Sequence, residues 1–67
     1  MLRWLRRRQE ARRLVQADAE ALIRDYGPDE AYLAARGLAR QGLDRRRAAH
    51  WRRVGRTVVR MTAKMID

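Results

Sequence analysis

The stretch from Asp44 to Ile66 reads DRRRAAHWRRVGRTVVRMTAKMI, and it decides what fold this chain can form. A helix turns by about 100° per residue, which places the small and apolar residues of this stretch on one side and the basic ones on the other. The apolar side holds Ala48, Trp51, Val54, Gly55, Val58, Met61, Thr62 and Met65, and the basic side holds Arg45, Arg52, Arg53, Arg56, Arg60 and Lys64. A strand at residues 54–59 is disfavoured, because the alternation is poor and no second strand is available to pair with it. We therefore predict an amphipathic helix over residues 45–66.

Residues 2–26, LRWLRRRQEARRLVQADAEALIRDY, are predicted to form a first long helix. Apolar residues recur along it at helical spacing and form one broad stripe. The stripe consists of Trp4, Ala11, Val15, Leu22 and Tyr26, with Leu14, Ala19 and Ile23 beside it. Residues 1–8 lack an N-cap residue, so we expect this end to fray.

A short, alanine-rich second helix is predicted over residues 28–41. Gly27 suits the left-handed position that ends a helix, and Pro28 pre-sets the first turn of the next one. Gly42 is predicted to end the second helix in the same left-handed way, and Asp44 to cap the third.

These segments predict an all-α fold of three helices, long–short–long, in one domain over residues 1–67, as a small bundle or a helical hairpin. Gly55 on the apolar side predicts a close crossing by another helix, and Leu43 is expected to tuck against the turn. Leu, Ile, Val and Phe together make up about 19% of the chain, whereas alanine contributes eleven residues. Because so thin a core gives little stability at this length, we expect the fold to be completed by oligomerisation or by a protein partner.

The net charge of the 67-residue chain is +9, and its pI is about 11.7. Sixteen of the seventeen basic residues are Arg, which GC-rich codon usage explains, although it does not explain the excess of bases over acids. Such an excess is typical of proteins that bind nucleic acid or another anionic surface. Residues 45–67 carry +7, from eight basic residues and one acidic residue. We expect the third helix to dominate the electrostatics.

Catalysis is not expected. The chain has no Cys and no Ser, which excludes disulfides, Cys-ligated zinc and the usual nucleophiles. His50 is the single imidazole, and one His does not make a ligand set, so no metal or cofactor is predicted. No apolar run approaches the roughly 18 residues that span a bilayer, and no signal-peptide core follows the basic N-terminus. We expect a cytoplasmic protein that is not integral to a membrane.

His50 and Trp51 form the one pair of adjacent large rings in the chain. We favour Trp51 as the core anchor, with His50 at the boundary between the two sides of the helix. In the alternative, Trp51 stacks on a base and His50 contacts a phosphate.

Two arginine triplets, residues 6–8 and residues 45–47, lie near predicted helix N-termini, where the helix dipole is already positive. A bound phosphate would offset that unfavourable placement, whereas screening by salt would make it nearly neutral. The order of helix, turn and basic helix matches a helix-turn-helix, but the chain has no Asn, and all three Gln lie outside the third helix. The sequence therefore favours binding to a nucleic-acid backbone over base reading.

Several short segments carry a resemblance: LIRDYG at residues 22–27, Ala31-Tyr32, HWRRV at residues 50–54 and VVRMTAK at residues 58–64. With them, residues 17–64 resemble a group of short uncharacterised alphaproteobacterial proteins that have a DALIRD-like segment and a later HW-x-RV segment. Many of those proteins carry a longer polar insert where Gly42-Leu43-Asp44 stands here. The resemblance implies a bacterial origin and no particular activity.

Our first hypothesis is a basic accessory protein that binds nucleic-acid backbone with little sequence specificity. The residues expected to bind are Arg45, Arg46, Arg47, Arg52, Arg53, Arg56 and Arg60, with Arg6, Arg7 and Arg8 as a second contact. The alternative is a protein-interaction module that dimerises or docks through the Trp51/Val58/Met65 face. The predicted core or interaction residues are Trp51, Val54, Val58, Met61, Met65, Val15 and Leu22. Attachment to an anionic membrane, with Trp4 and Leu5 inserted, is the least favoured interpretation.

Overall fold

A computed structural model describes the backbone of residues 2–42 and 44–65 and the side chains of residues 6–42 and 44–64. Within these ranges the regular elements are three helices and no strand: α1 (Leu2–Tyr26), α2 (Ala31–Gln41) and α3 (Arg45–Met65). Each helix packs against the other two, most extensively α2 against α3. The all-α, long–short–long fold is confirmed. The predicted tuck of Leu43 against the turn and the predicted end of the third helix at Ile66 lie outside the described residues.

The turn between α1 and α2 begins as predicted and then differs. Gly27 has φ of 86°, and its N–H donates to the carbonyl oxygen of Ile23 at 2.9 Å. This is the left-handed helix end that glycine permits at no steric cost. Pro28 does not start the second helix, however, because residues 28–30 form a turn that is closed by the Ala31 N–H donating to Gly27 O at 3.0 Å. The predicted start at residue 28 is therefore three residues too early.

The turn between α2 and α3 also corrects one prediction and confirms another. Gly42 has φ of −55°, so it is not left-handed. A glycine is required there for space, since a Cβ would lie 2.9 Å from the Ala48 nitrogen and 3.2 Å from its Cα. Asp44 is the N-cap of α3, as predicted, because its Oδ1 accepts a hydrogen bond from the Arg47 N–H at 2.8 Å.

The core is built from small side chains. Its buried apolar residues are Ala19, Leu22, Ala31, Ala35, Val54 and Val58. Val54 and Val58, one helical turn apart on α3, are completely inaccessible to solvent. Trp51, Met61 and Val15 pack against this cluster but are only partly buried. Trp51, predicted to be the core anchor, does pack on the core but is only partly buried at its margin, whereas Val54 and Val58 are fully buried.

α2 crosses α3 closely at Gly55, as the sequence predicts. A Cβ at Gly55 would lie 3.6 Å from the Cβ of Ala35 and 3.6 Å from the ring of Tyr32. These are ordinary van der Waals distances, so glycine at this position lets the Ala35 methyl group and the Tyr32 ring lie close to the backbone of α3.

α1 contributes to the core with only its second half. Ala19 and Leu22 are buried, whereas every described residue from 6 to 14 is exposed. Leu14 and Tyr26, which the predicted stripe included, are 61% and 55% exposed. The stripe therefore overstates the face that α1 buries, because α1 extends past the end of the core. The backbone is helical from Leu2 onward.

α1 is also joined to α3 by a polar contact that the sequence did not predict. The Nε2 of His50 and the Oδ2 of Asp18 lie 2.6 Å apart, and both side chains are partly exposed. The His50 ring stands edge-on to Trp51, with centroids 5.1 Å apart. His50 lies at the boundary of the core, as favoured from the sequence, and its ring nitrogen contacts Asp18.

Replacing Gly42 by alanine is expected to destabilise the fold by about 1–3 kcal/mol, because the new methyl group would overlap the backbone of Ala48. Gly37→Ala is the matched control. Gly37 lies within α2 with no atom within 4 Å of an added Cβ, so alanine there should stabilise by up to about 1 kcal/mol. Urea denaturation of both variants measures the difference, and equal midpoints would contradict the close approach.

Asp18→Ala is expected to lower the free energy of unfolding by roughly 0.5–1 kcal/mol, the upper end for a partly exposed pair. Asp25→Ala should have a smaller effect, because that carboxylate lies 3.7 Å from Arg24 at the surface, where both side chains are mostly exposed. A double-mutant cycle with His50→Ala measures the coupling. A coupling of zero would show that the two side chains do not stabilise each other.

Candidate nucleic-acid interface

An open cleft lies between the first half of α1 and the middle of α3. Its volume is about 790 Å³. Three arginines line it from each helix: Arg8, Arg12 and Arg13 from α1, and Arg53, Arg56 and Arg60 from α3. We call these six residues and the space between them the arginine cleft. The fold thus places the exposed part of α1 opposite the basic side of α3.

The described lining of the arginine cleft is positively charged. No acidic residue is among the described residues that line it. The ion pairs found within the described part of the chain, Arg24–Asp25 and His50–Asp18, both lie elsewhere. Apart from Arg8, which makes a further contact, the arginines of the cleft therefore have no carboxylate partner there. Guanidinium groups in this state are available to an external anion.

Helical spacing explains why the arginines align. Arg8 and Arg12 are four residues apart, and Arg53, Arg56 and Arg60 follow at spacings of three and four. Residues at such spacings lie above one another on one side of a helix. With a rise of about 1.5 Å per residue, the row on α3 extends for roughly 10 Å. Each helix therefore presents a straight row of positive charge to the cleft.

The floor of the cleft is made of less polar groups. Val15 and Gln16 of α1 and Thr57 of α3 line it. Thr57 is 7% exposed, and its hydroxyl can both donate and accept a hydrogen bond. Gln16 lies 3.6 Å from the sulfur of Met61, which connects the two helices beneath the arginines.

The structure divides the predicted binding residues into four groups, of which the fourth is Arg52. Arg8, Arg53, Arg56 and Arg60 come together in the arginine cleft. Arg6 and Arg7 are exposed on the same arm of α1 but do not line the cleft. Arg45, Arg46 and Arg47 are exposed in the first turn of α3, beyond the arginine cleft.

Arg52 lies on the other side of α3, in a smaller groove of about 280 Å³ between α2 and α3. Arg36 and Arg40 of α2 line this groove together with Arg52. We call the groove and these three arginines the α2 groove. The Nε of Arg52 donates to the Ala48 carbonyl oxygen at 3.3 Å, which holds the side chain along its own helix. Arg36 lies over the ring of Tyr32, 5.9 Å from its centroid.

Four arginines in these two sites were not predicted to bind: Arg12, Arg13, Arg36 and Arg40. Arg12 had a usable signal, since it lies one turn after Arg8 on the predicted first helix. Nothing in the sequence shows that Arg36 and Arg40 adjoin Arg52. That proximity depends on how α2 packs on α3.

The other predicted contact residues are part of the fold. Val54, Val58 and Leu22 are buried, and Val15, Trp51 and Met61 lie at the edge of the core. The side chain of Met65 lies outside the described residues. Because Val58 is fully enclosed within the chain, it is unavailable to a docking partner in this fold.

A search of the described residues finds no group of three or more His, Cys, Asp or Glu side chains that could hold a metal ion. Nor does that part of the chain contain a helix of the length and apolarity needed to cross a membrane.

Comparison with protein-family models, curated proteins and solved structures gives no match to this chain. The alphaproteobacterial resemblance stays a prediction, and function has to be argued from the arginine sites themselves.

Proposed function

We propose that this chain is a small cytoplasmic accessory protein that binds the phosphate backbone of nucleic acid with little sequence specificity. The observation that carries the proposal is the arginine cleft, in which two helices face each other with three arginines each. The planar guanidinium group is always charged and matches the oxygens of a phosphate in a bidentate way.

The size of the cleft supports an extended polyanion over a single small anion. Six positive charges surround about 790 Å³ of open space, which one phosphate would neither fill nor neutralise. The row of arginines on α3 extends for roughly 10 Å, and phosphates along one strand of a duplex are spaced by about 3.4 Å along its axis. About three consecutive phosphates would therefore lie along that row.

Weak sequence specificity follows where the arginines contact phosphates and not the edges of guanine. Contacts to phosphate fix the position of a protein on nucleic acid but carry no base information. The side chains that read adenine, Asn and Gln, are absent from α3, since the chain has no Asn and its Gln residues are at positions 9, 16 and 41. The residues at positions 6–7 and 45–47 would add further phosphate contacts around the cleft.

Arg56→Ala is expected to weaken oligonucleotide binding several-fold and to lower the slope of log K against log salt by about 1, because one phosphate contact is lost. Arg24→Ala is the matched control. Like Arg56→Ala, it removes one positive charge, but Arg24 lies on α1 beside Asp25, outside both arginine sites. Fluorescence anisotropy titrations over a series of salt concentrations measure both quantities.

Two results would contradict the proposal. One is wild-type affinity that stays constant as salt is raised, which would rule out binding through phosphates. The other is an identical effect of Arg56→Ala and Arg24→Ala, which would show that only the overall charge matters and not the cleft.

Self-association is a second candidate, favoured by the small core together with exposed apolar side chains. The core contains three alanines, one leucine and two valines, and such a core supports little stability on its own. Leu33 on α2 is 63% exposed. If a second copy covers it, sedimentation velocity will show a dimer at micromolar concentration that Leu33→Glu dissociates. A concentration-independent monomer would exclude this candidate.

A further inference from the structure

The exposed side of α3 lies between the two arginine sites. On a helical wheel, Arg56 is near the centre of that side, with Arg52 turned toward α2 and Arg53 toward α1. Arg53 accordingly lines the arginine cleft, and Arg52 lines the α2 groove. α3 is therefore a basic ridge with a row of arginines from a neighbouring helix on each flank.

The dimensions of this ridge match one form of nucleic acid. A helix with its side chains is about 10–12 Å across, and the major groove of B-form DNA is about 12 Å wide. Packed helices lie with their axes about 8–10 Å apart. With α3 in a groove, α1 and α2 would each lie over one rim, and the rims of the major groove are the two phosphate backbones.

We infer that the chain binds double-stranded DNA with α3 in the major groove, the arginine cleft on one phosphate backbone and the α2 groove on the other. This inference rests on the proposed function and goes further, because it names the duplex and assigns Arg36, Arg40 and Arg52 to the second strand. It explains why basic residues flank α3 on both sides, whereas a single strand needs only one row.

The residues at the centre of the ridge agree with such a position. Ala49 and Ala63, on the same side of α3 as Arg56, have side chains small enough to let the helix backbone approach the bases. These alanines have no hydrogen-bonding side chain and read no base, and Arg56, which lines the arginine cleft, is assigned to a phosphate contact, in agreement with weak specificity. A-form RNA duplexes would be excluded, since their major groove is too deep and narrow for a helix.

Two double variants separate the two flanks. Arg12→Ala with Arg13→Ala removes two charges from the arginine cleft, and Arg36→Ala with Arg40→Ala removes two from the α2 groove; all four side chains are exposed. Each variant and the wild type are titrated with duplex DNA, single-stranded DNA and duplex RNA of one length, over a salt series. Circular dichroism verifies that the helix content is unchanged.

We expect wild type to bind duplex DNA more tightly than either other ligand. On duplex DNA both double variants should lose about 1.8 from the salt slope, at about 0.9 per phosphate contact. On single-stranded DNA only the Arg12/Arg13 variant should weaken binding. For that variant on single-stranded DNA, the slope of log K against log salt should fall by about 1.4, at about 0.7 per phosphate contact.

The failures of the two proposals are distinguishable. If the Arg36/Arg40 variant binds duplex DNA as wild type does, or if duplex RNA binds as tightly as duplex DNA, the major-groove inference is overturned, while binding through the cleft stands. If none of the three nucleic acids shows salt-dependent binding, the proposed function falls, and the inference falls with it.

Discussion

The close packing of α2 on α3 at Gly55 is the constraint on which the other features depend. Ala35 and the ring of Tyr32 approach Gly55 to within van der Waals distance of an added methyl group. This contact fixes the rotation of α3 about its axis, because Val54 and Val58 must then point inward. The opposite side of the helix is left facing solvent, and it carries Arg52, Arg53, Arg56 and Arg60. The rotation of α3 about its axis therefore determines both which of its residues enter the core and which form the basic ridge.

That arrangement has an electrostatic cost in the free chain. Like charges on a surface repel one another, more strongly at low salt, and six arginines line the cleft. A small single core rarely supplies more than about 3–5 kcal/mol, so this repulsion acts against a small margin of stability. A polyanion bound in the cleft would replace repulsion by attraction and stabilise the folded state by linkage. Its binding and the folding of α1 onto α3 would then be coupled.

The sequence is sufficient for the elements of this fold but not for how they meet. Periodicity and the glycine, proline and aspartate signals located α1 and α3, the left-handed turn at Gly27 and the cap at Asp44, because each depends on residues within a few positions. The start of α2 and the role of Gly42 were predicted wrongly, since both depend on the path of the turn and on the distance to Ala48. Local rules contain no information on that distance.

The same limit applies to the candidate site. A helical wheel showed that α3 has a basic side, but it could not show that the exposed arm of α1 lies beside it. Arg12 and Arg13 were therefore missed, as was the contact between Asp18 and His50, residues separated by 32 positions in the chain. Trp51 packs on the core but is less buried than Val54 and Val58, and helical periodicity alone does not show how deeply each residue of an apolar side is buried.

The length of α1 relative to the core has a consequence for binding. Its 25 residues extend for about 37 Å, yet only the second half is buried against the other helices. The exposed half contributes little to the core, and it carries a dense group of arginines, including Arg8 and Arg12. A helical arm of this kind extends the charged surface beyond what so small a core could carry. A compact anion would contact only part of that surface, whereas a nucleic-acid backbone would contact the arm and the ridge together.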